Sequence, residues 1–494
     1  MITQLQSTET YKTPVFGKFC PYYWISSDGQ VYLGDTFNEI IDLVPHDERL
    51  IDPVGCLELL NFGYLLGSRT LVQGVGKLLW RAEIRGDGTQ TRYAPVPHGM
   101  RMEKPAHIAA ELRQCLEEEL LAYVDGAKRV WILLSGGLDS RIVAGILAHF
   151  QKVGLLNVEV HTATWGRDLS RDVIYAQRIA DHFEWPLHRI SYNAELLWSN
   201  IERMVTWGGA EISGIHLHGM HNLKDLLHRD DVVIAASWGN SIGRGLFLGH
   251  HLSDLKINPI EDTLDLIAPA IQHTSLQQAE KDRAIAWEGC LDYPAAIVEL
   301  DQQENYMRRM IAQAMDYLRQ YARLEQVFTA PKTVATMWAY APEARVAEVY
   351  FHLLAGLDAF LYNLPDANTG IAPSGLSEPD PILRKSFHQF GKWCRRDLSE
   401  NILDTLHSPA LARSGIFNMY VVKNLTNWWL REEMDEWGAT ERVTNLVGIA
   451  LLIERFGLQP MRKPTHFSDY LYSRSKQFRK RLDSLGSRVA QWLP

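Results

Sequence analysis

Residues 129–140 read RVWILLSGGLDS, an apolar run followed at once by two glycines, an aspartate and flanking serines. The apolar run has the length and character of a buried parallel strand. Glycine has no side chain, so the backbone at Gly136 and Gly137 can turn sharply and approach a ligand closely. Apolar residues then recur at helical spacing from Ile142 to Phe150. The segment therefore predicts a strand, a loop over residues 135–140 (the Gly-Gly loop) and a helix.

Strands and helices alternate on both sides of this loop. Residues 108–120 carry an apolar stripe of helical period, and residues 172–183 predict a further helix with acid in its first turn. Further strands are predicted at residues 158–164, 188–191 and 232–236. Such alternation predicts an α/β fold with a parallel sheet and helices on both faces.

The chain length of 494 residues suits two or three domains. Residues 1–100 predict a small β-rich domain, with strands near residues 30–33 and 78–84 and a hairpin turn at Asp87-Gly88. We expect residues 101–250 to form the α/β domain and residues 251–494 a helix-rich part. Residues 361–380 predict a long loop because they are rich in Pro, Gly and Asn.

Composition narrows the class of protein. The net charge is -9 and the basic residues are scattered, so the sequence does not indicate a nucleic-acid partner. Five dispersed cysteines favour a reducing, cytoplasmic setting. The N-terminus lacks the apolar core of a signal peptide, and we expect no transmembrane helix. The basic residues after Pro464 predict a solvated helix face, with a membrane-surface role as the alternative.

The Gly-Gly loop has the chemistry of a phosphate site. Successive backbone N–H groups and the start of the following helix attract an anion. Ser135 and Ser140 add hydroxyl donors. Asp139 suits the site if Mg²⁺ lies between its carboxylate and the phosphates. The alternative is a plain glycine turn in which the serines cap the helix.

The hexapeptide Ser135-Gly136-Gly137-Leu138-Asp139-Ser140 resembles the pyrophosphate loop (PP-loop) of the ATP pyrophosphatase family. Residues 62–71 resemble the end of the amidotransferase domain in its asparagine synthetase-like branch. Thr164-Trp165-Gly166 is similar to that branch's second strand, and residues 343–346 to its Glu-x-Arg-Val segment. The resemblance implies an adenine nucleotide alpha hydrolase-like fold, with ATP and Mg²⁺ as cofactors.

The same resemblance implies a set of site residues. Those expected to bind the nucleotide are Leu134, Ser135, Gly136, Gly137, Leu138, Asp139, Ser140, Thr164, Trp165, Gly239 and Asn240. Asp139, Arg345 and Lys385 are expected to be catalytic, and Asp139 is also the expected metal ligand. Trp165 occupies the position that contacts adenine in the family.

Three departures from the family pattern bear on activity. Ile2 stands where the glutaminase cysteine is expected, and the block before the Gly-Gly loop is about half the usual size, so we expect no glutamine hydrolysis. Trp238 stands where a glutamate is expected, and Asn240 stands near where an aspartate is expected. Residues 347–350 replace the family's Pro-Phe-Leu-Asp segment.

Several other polar residues leave alternatives open. Arg141, Arg167 and Arg171 could clamp a phosphate or a carboxylate, or lie on the surface. The histidines His216, His218 and His221 allow a zinc site, although no second ligand cluster is near, so a substrate-pocket wall or a structural role is favoured.

The resemblance implies an ATP-dependent carbon–nitrogen ligase. A carboxylate attacks the α-phosphorus of ATP, pyrophosphate leaves, and an amine then displaces AMP to form an amide. The expected partners are a small-molecule or peptide carboxylate and an amine donor, either ammonia or an amine of the substrate itself. The alternative is a nucleotide-binding pseudoenzyme or scaffold, which the departures at Trp238 and Asn240 favour.

Overall fold

The first part of the chain forms two small antiparallel sheets. The structure, a computed structural model, describes residues 2–247, 249–290, 293–378, 380–431, 437–461, 468, 469 and 472. The first seven strands are β1 (Thr3–Leu5), β2 (Thr10–Lys12), β3 (Tyr22–Ile25), β4 (Val31–Gly34), β5 (Val75–Lys77), β6 (Ala82–Arg85) and β7 (Gln90–Arg92). They pair in the orders β1-β4-β3-β5 and β2-β6-β7.

The hairpin predicted at Asp87-Gly88 is confirmed, because β6 and β7 pair antiparallel across it. Gly88 has φ 82°, in the left-handed region that favours glycine. The strand predicted at residues 78–84 is shorter, since the backbone N–H of Leu78 bonds to Pro21 O at 3.0 Å and the chain turns before Ala82.

Two helices of this part were not predicted, α1 (Phe37–Ile41) and α2 (Pro53–Phe62). The Asp52 carboxylate caps α2 by accepting the N–H groups of Val54 and Gly55, and Gly63 ends the helix in the left-handed conformation. These start and stop signals are present in the sequence. The helix was not predicted because α2 is apolar on most of its faces and so shows no apolar stripe of helical period.

A five-stranded parallel sheet forms the centre of the molecule. The elements from the next part of the chain are α3 (Pro105–Val124), β8 (Arg129–Leu133), α4 (Leu138–Lys152), β9 (Glu159–Trp165), α5 (Arg171–His182), β10 (Leu187–Ile190), α6 (Ala194–Gly208) and β11 (Asp231–Ala235). After the hairpin β12 (Leu246–Phe247) and β13 (His250–His251), strand β14 (Arg323–Gln326) completes the sheet. The strand order is β10-β9-β8-β11-β14, and the predicted α/β fold is confirmed.

Side chains of the central strands alternate between two apolar cores. Val130 and Ile132 of β8 pack with residues of α3 and α4, whereas Trp131 packs with Met204 of α6. Both faces of the sheet are therefore buried, as a parallel sheet requires. Strand β14 was missed because its sequence, Arg-Leu-Glu-Gln, has no apolar run and lies at the sheet edge.

The rest of the described chain is mainly helical, as predicted. Its helices are α7 (Gln272–Ala284), α8 (Pro294–Asp301), α9 (Gln313–Asp316), α10 (Pro331–Trp338), α11 (Ala347–Leu357), α12 (Ala359–Asn363), α13 (Phe390–Lys392), α14 (Ser399–His407), α15 (Pro409–Ser414), α16 (Met419–Arg431) and α17 (Trp437–Phe456). Three segments are π-helical, Gly239–Gly243, Gln302–Ala312 and Trp393–Asp397. The predicted loop begins at residue 364, since α12 extends to Asn363. The predicted basic tail, residues 474–481, lies outside the described residues.

The first part of the chain packs tightly onto the rest. Phe16 and Trp80 belong to the same apolar core as Trp238 and Trp338. Arg81 and Glu304, both 3% exposed, form an ion pair of 2.9 Å across this contact. The division into domains near residues 100 and 250 stays a prediction. In the described part of the chain, every helix is too short or too polar to cross a membrane.

Candidate functional site

The Gly-Gly loop joins the end of β8 to the start of α4. Gly137 is the N-cap residue of α4, a helix of 15 residues. Ser140 Oγ accepts the N–H of Ser135 at 3.2 Å, and Ser135 Oγ accepts the N–H of Gly137 at 3.2 Å. The two hydroxyls lie 3.1 Å apart. The loop is thus curled around its own serines at the positive end of a helix, an arrangement that suits an anion.

A cavity of about 320 Å³, here called the loop cavity, lies above the carboxyl ends of β8, β9 and β11. In an open α/β sheet, ligands bind at this edge. Of the predicted site residues, those lining it are Leu134, Ser135, Gly137, Asp139, Ser140, Thr164, Trp165 and Asn240. Further lining residues include Asp172, Ser237, Met315 and Phe387. The structure therefore brings together most of the residues that the sequence singled out for nucleotide binding.

Gly136 and Leu138 face away from the loop cavity. A β-carbon on Gly136 would lie 2.8 Å from Ala367 Cβ and 3.0 Å from Arg171 O, so packing behind the loop requires glycine there. Leu138 is 5% exposed and belongs to the apolar core. Both shape the loop from behind.

Asp139 lines the loop cavity. Its Oδ1 atom is buried and has no hydrogen-bond partner among the described residues, and Arg244 Nη2 lies 3.6 Å from it. Burial raises the pKa of Asp139, and the Arg244 charge opposes that shift. A β-carbon on Gly239 would come within 2.3 Å of the same Oδ1 atom. Gly239 thus makes room for the carboxylate without lining the cavity itself.

Arg244 is a site residue that the sequence reasoning missed. Its guanidinium donates to Asn240 Oδ1 and lies near Asp139, with its carbon 4.8 Å from the centre of the Tyr350 ring. Tyr350 in turn donates its hydroxyl to Gly239 O at 2.8 Å. Arg244 therefore fixes the amide of Asn240 beside the loop. Its position between Gly243 and Gly245 was the available signal.

Asp172 is a second acidic residue in the cavity wall. Its Oδ1 accepts the N–H of Gly136 at 3.1 Å. Burial raises the pKa of Asp172 to about 6, against the lowering effect of the Gly136 N–H, and Asp366 raises it further. The side chain anchors the loop backbone from the start of α5.

Arg345 does not line the cavity. It is fully buried, and its guanidinium forms a two-point ion pair with Glu299, at 2.8 and 2.6 Å. It also donates to the carbonyl of Ile242 at 3.1 Å, inside the π-helical segment that carries Asn240. Burial raises the pKa of Glu299, but Arg345 and His98 overcome this and hold it at about 2. Arg345 is thus placed to position the segment from behind rather than to touch a substrate.

Lys385 is exposed and lies outside the residues that line the loop cavity. Of its neighbours, Arg384 donates its backbone N–H to Leu169 O at 2.9 Å, and Phe387 lines the loop cavity. The catalytic role of Lys385 stays a prediction.

The phosphate-clamp alternative does not suit Arg141. Its buried guanidinium donates to the carbonyls of Gly136, Leu361, Leu364 and Pro365. It therefore ties the Gly-Gly loop to the segment after α12. Arg167 lines a separate surface cavity beside Asp168.

Trp238, where the resemblance leads us to expect a glutamate, faces the apolar core. It is fully buried, 6.2 Å from the Trp80 ring and 6.4 Å from the Phe16 ring between centroids. The side chain thus anchors the first part of the chain next to the π-helical segment. A carboxylate at this position would have no place in such a core.

The three histidines do not form a zinc site. His216 bonds to Glu441 at 2.7 Å, His221 bonds to Tyr317 at 2.8 Å, and His218 stacks on Trp165 with centroids 5.6 Å apart. Among the residues that the structure describes, no three His, Cys, Asp or Glu side chains are grouped to hold a metal ion. His216 and His218 instead line a second cavity, next to the first.

Comparison with known proteins agrees with this geometry. Residues 111–236 match the family model described as Asparagine synthase. The chain is 28% identical over 100 residues to the glutamine-hydrolyzing asparagine synthetase of Gallus gallus, a match that covers 20% of this chain and 17% of that protein.

Two solved structures are also similar. One is the U34-tRNA thiolase NcsA from Methanococcus maripaludis with its 4Fe-4S cluster, at 14% identity and TM-score 0.24, covering 67% of this chain and 82% of that one. The other is NMN synthetase from Francisella tularensis, at 17% identity and TM-score 0.20, covering 48% of this chain and 93% of that one.

The matched residues 111–236 run from α3 to the end of β11 and include the whole Gly-Gly loop. This stretch of the chain is therefore similar to the asparagine synthase domain, and it covers only a small part of the curated relative's length.

Proposed function

We propose that the protein is an ATP-dependent amidoligase. A carboxylate of the substrate attacks the α-phosphorus of ATP, forming an acyl-adenylate and releasing pyrophosphate. Ammonia or an amine of the substrate then attacks the acyl carbon, forming the amide and releasing AMP. The observation that carries the proposal is the loop cavity, where the Gly-Gly loop, Thr164, Trp165 and Asn240 surround one space.

The residues around the loop cavity fit ATP. Backbone groups and serine hydroxyls at the start of α4 suit the pyrophosphate part, which leaves with negative charge. Trp165 offers an aromatic ring, and His218 stacks on this ring with the centroids 5.6 Å apart. Preorganised donors aimed at a developing charge are the main source of rate enhancement in such reactions.

Asp139 fits the role of a Mg²⁺ ligand. Mg²⁺ is commonly held by one or two carboxylates together with substrate phosphates. Asp139 presents a buried oxygen that no described residue satisfies, so the residue set supports such an ion. When bound, Mg²⁺ would neutralise charge on the leaving pyrophosphate.

Cys20 does not fit a glutaminase nucleophile. It is 2% exposed, and burial raises the pKa of its thiol to about 12. The thiolate, which is the reactive form, is therefore not populated near neutral pH. This supports an amine donor other than glutamine hydrolysed at Cys20, in line with the sequence expectation.

The proposal is tested by pyrophosphate–ATP exchange in the presence of a panel of carboxylic acids. Exchange by the unmodified protein, lost by about 10²–10³-fold in Asp139→Asn, would support it. The matched control is Asp168→Asn, since Asp168 carries the same group with a side chain 91% exposed outside the loop cavity. Exchange that survives Asp139→Asn would remove the metal role of Asp139.

The pseudoenzyme remains the second candidate, because Asn240 is neutral and its oxygen is held by Arg244. Its signature is binding of ATP, measured by calorimetry, without exchange for any acid in the panel. That result would contradict the ligase and support a nucleotide-binding scaffold.

A further inference from the structure

A second cavity, here called the methionine cavity, opens beside the loop cavity. It has a volume of about 340 Å³, within the range of small-molecule sites, and shares Trp165, Ser237, Asn240 and Met315 with the loop cavity. A ligand could therefore extend from one into the other. On the proposed function, the methionine cavity lies where the adenylated acid would sit.

We propose that the methionine cavity receives the apolar body of a monocarboxylic acid. The inference rests on the proposed function for the step that follows, but not for the binding itself. The substrate would then differ in class from aspartate, whose ammonium group and second carboxylate both carry charge.

The wall of the methionine cavity is apolar and adaptable. Its apolar lining residues are Met220, Leu246, Phe247, Met307, Met310, Ile311, Ala314 and Met315. Methionine side chains are flexible and polarisable, so they adjust to apolar ligands of varied shape. Half of these eight residues are methionine, which favours an apolar guest over a small, highly charged one.

Charged partners for an amino acid are missing from this wall. Among the described lining residues there is no Lys, Arg, Asp or Glu. His218 is held neutral, since burial and then the nearby His216 lower its pKa to about 3. His216 is bonded to Glu441, which balances any charge on its ring. Aspartate would have to bury its ammonium and its second carboxylate without partners, and such burial is costly.

Two polar atoms in this wall point to a ligand with one uncharged polar group. Gln302, 6% exposed, has a buried Oε1 with no hydrogen-bond partner among the described residues. The Nδ1 atom of His218 is also buried and has no hydrogen-bond partner among the described residues. Buried polar atoms normally have partners, so these two call for one. An amide or hydroxyl on the acid would supply the hydrogen for Gln302.

The polar junction between the cavities suits the carboxylate. Ser237 and Asn240 line both spaces, and Asp139 lies on the loop side. An acid with its tail among the methionines would leave its carboxylate at this junction, facing the nucleotide side. No charged group would then need to enter the apolar wall.

The test is a binding measurement with the full chain, loaded with Mg²⁺ and a non-hydrolysable ATP analogue. Octanoate, phenylpropionate and N-acetylphenylalanine are titrated calorimetrically and compared with aspartate. We expect at least one apolar acid to bind about ten-fold or more tightly than aspartate. Tighter binding of aspartate, or no binding by all three apolar acids while the analogue binds, would overturn the inference.

Two variants place the binding in the methionine cavity. Ile311→Trp fills it from a partly buried position, and Leu121→Trp is the matched control on α3, away from both cavities. Ile311→Trp should weaken binding of the apolar acid by about ten-fold or more while leaving the affinity for the ATP analogue unchanged. Leu121→Trp should change neither. An unchanged acid affinity in an Ile311→Trp protein that still binds the analogue would overturn the assignment.

Failure of the two proposals can be told apart. Binding of an apolar acid without pyrophosphate exchange would contradict the ligase and leave the methionine cavity as an acid site. Exchange stimulated by aspartate but not by the apolar acids would support a ligase and contradict the inferred substrate class.

Discussion

Gly239 and Asp139 are in such close contact that a β-carbon at residue 239 would lie 2.3 Å from Asp139 Oδ1. Real side-chain atoms do not approach this closely, so any other residue at position 239 must displace the carboxylate. The position of the expected metal ligand is thus set by a glycine on a neighbouring segment.

Gly239→Ala should therefore reduce pyrophosphate exchange by about 10²-fold or more, because Asp139 is pushed from its place. The measurement is exchange across a Mg²⁺ titration. Gly356→Ala is the control, since a β-carbon there meets nothing closer than 3.7 Å. An unchanged rate in Gly239→Ala would show that the position of Asp139 does not matter.

Gly136→Ala should weaken ATP binding, although Gly136 faces away from the cavity. The added carbon would press on Ala367 and on the carbonyl of Arg171 and so shift the Gly-Gly loop forward. Calorimetry with the ATP analogue checks this, and we expect a loss of about ten-fold or more. Because the same position packs against the core, thermal unfolding is measured in parallel. Equal affinity in a folded variant would contradict the loop as the nucleotide site.

Asn240→Asp should raise the exchange rate or leave it unchanged. It supplies a carboxylate close to where the resemblance leads us to expect an aspartate, and the Asn240 side chain already contacts the Arg244 guanidinium. Residue 240 is exposed, so a new carboxylate there would pair with that cation without a large desolvation cost. A fall in exchange would show that the neutral amide is required. Exchange gained from an inactive starting protein would identify a site silenced at residue 240.

Glu299→Gln should destabilise the protein by about 3–5 kcal/mol, because it leaves Arg345 buried without its counter-charge. Urea unfolding at neutral pH measures this. The replacement of Glu288, a glutamate in the turn after α7, by Gln is the control. A loss below about 1 kcal/mol would show that the pair contributes little.

The same pair predicts a pH dependence. The folded-state pKa of Glu299 is about 2, below its ordinary value of 4.5. The pair therefore stabilises the fold fully above the ordinary value, and this contribution is lost as the pH falls from there through about 2. Unfolding free energies measured down through this range should fall more steeply for the unmodified protein than for Glu299→Gln. Parallel curves would contradict the assignment.

The sequence predicted what depends on local pattern. Residues 129–140 specify a strand, a turn and a helix from apolar period and glycine placement, and the parallel sheet follows from repeated alternation. The cavity wall was predicted largely by resemblance, because Thr164, Trp165 and Asn240 are distant from the loop in sequence and meet it only through sheet order.

The sequence could not predict contacts that depend on long-range pairing. Glu299 lies in α8 and Arg345 in the bend before α11, and neither neighbourhood marks a partner. Apart from its flanking glycines, nothing in the sequence distinguishes Arg244 from a surface arginine. The π-helical segment before it places its guanidinium beside Asp139. Strand β14 lacks an apolar run because it lies at the sheet edge, where most of its side chains are not fully buried.

Trp238 connects the first part of the chain to the candidate site. Phe16 and Trp80 surround its indole, while the next residue, Gly239, contacts Asp139. Removing Phe16 and Trp80 would leave the Trp238 indole exposed beside a large void. It would also loosen the backbone at Gly239, which holds the Asp139 carboxylate in place. The small β-rich part thus acts as a brace for the site.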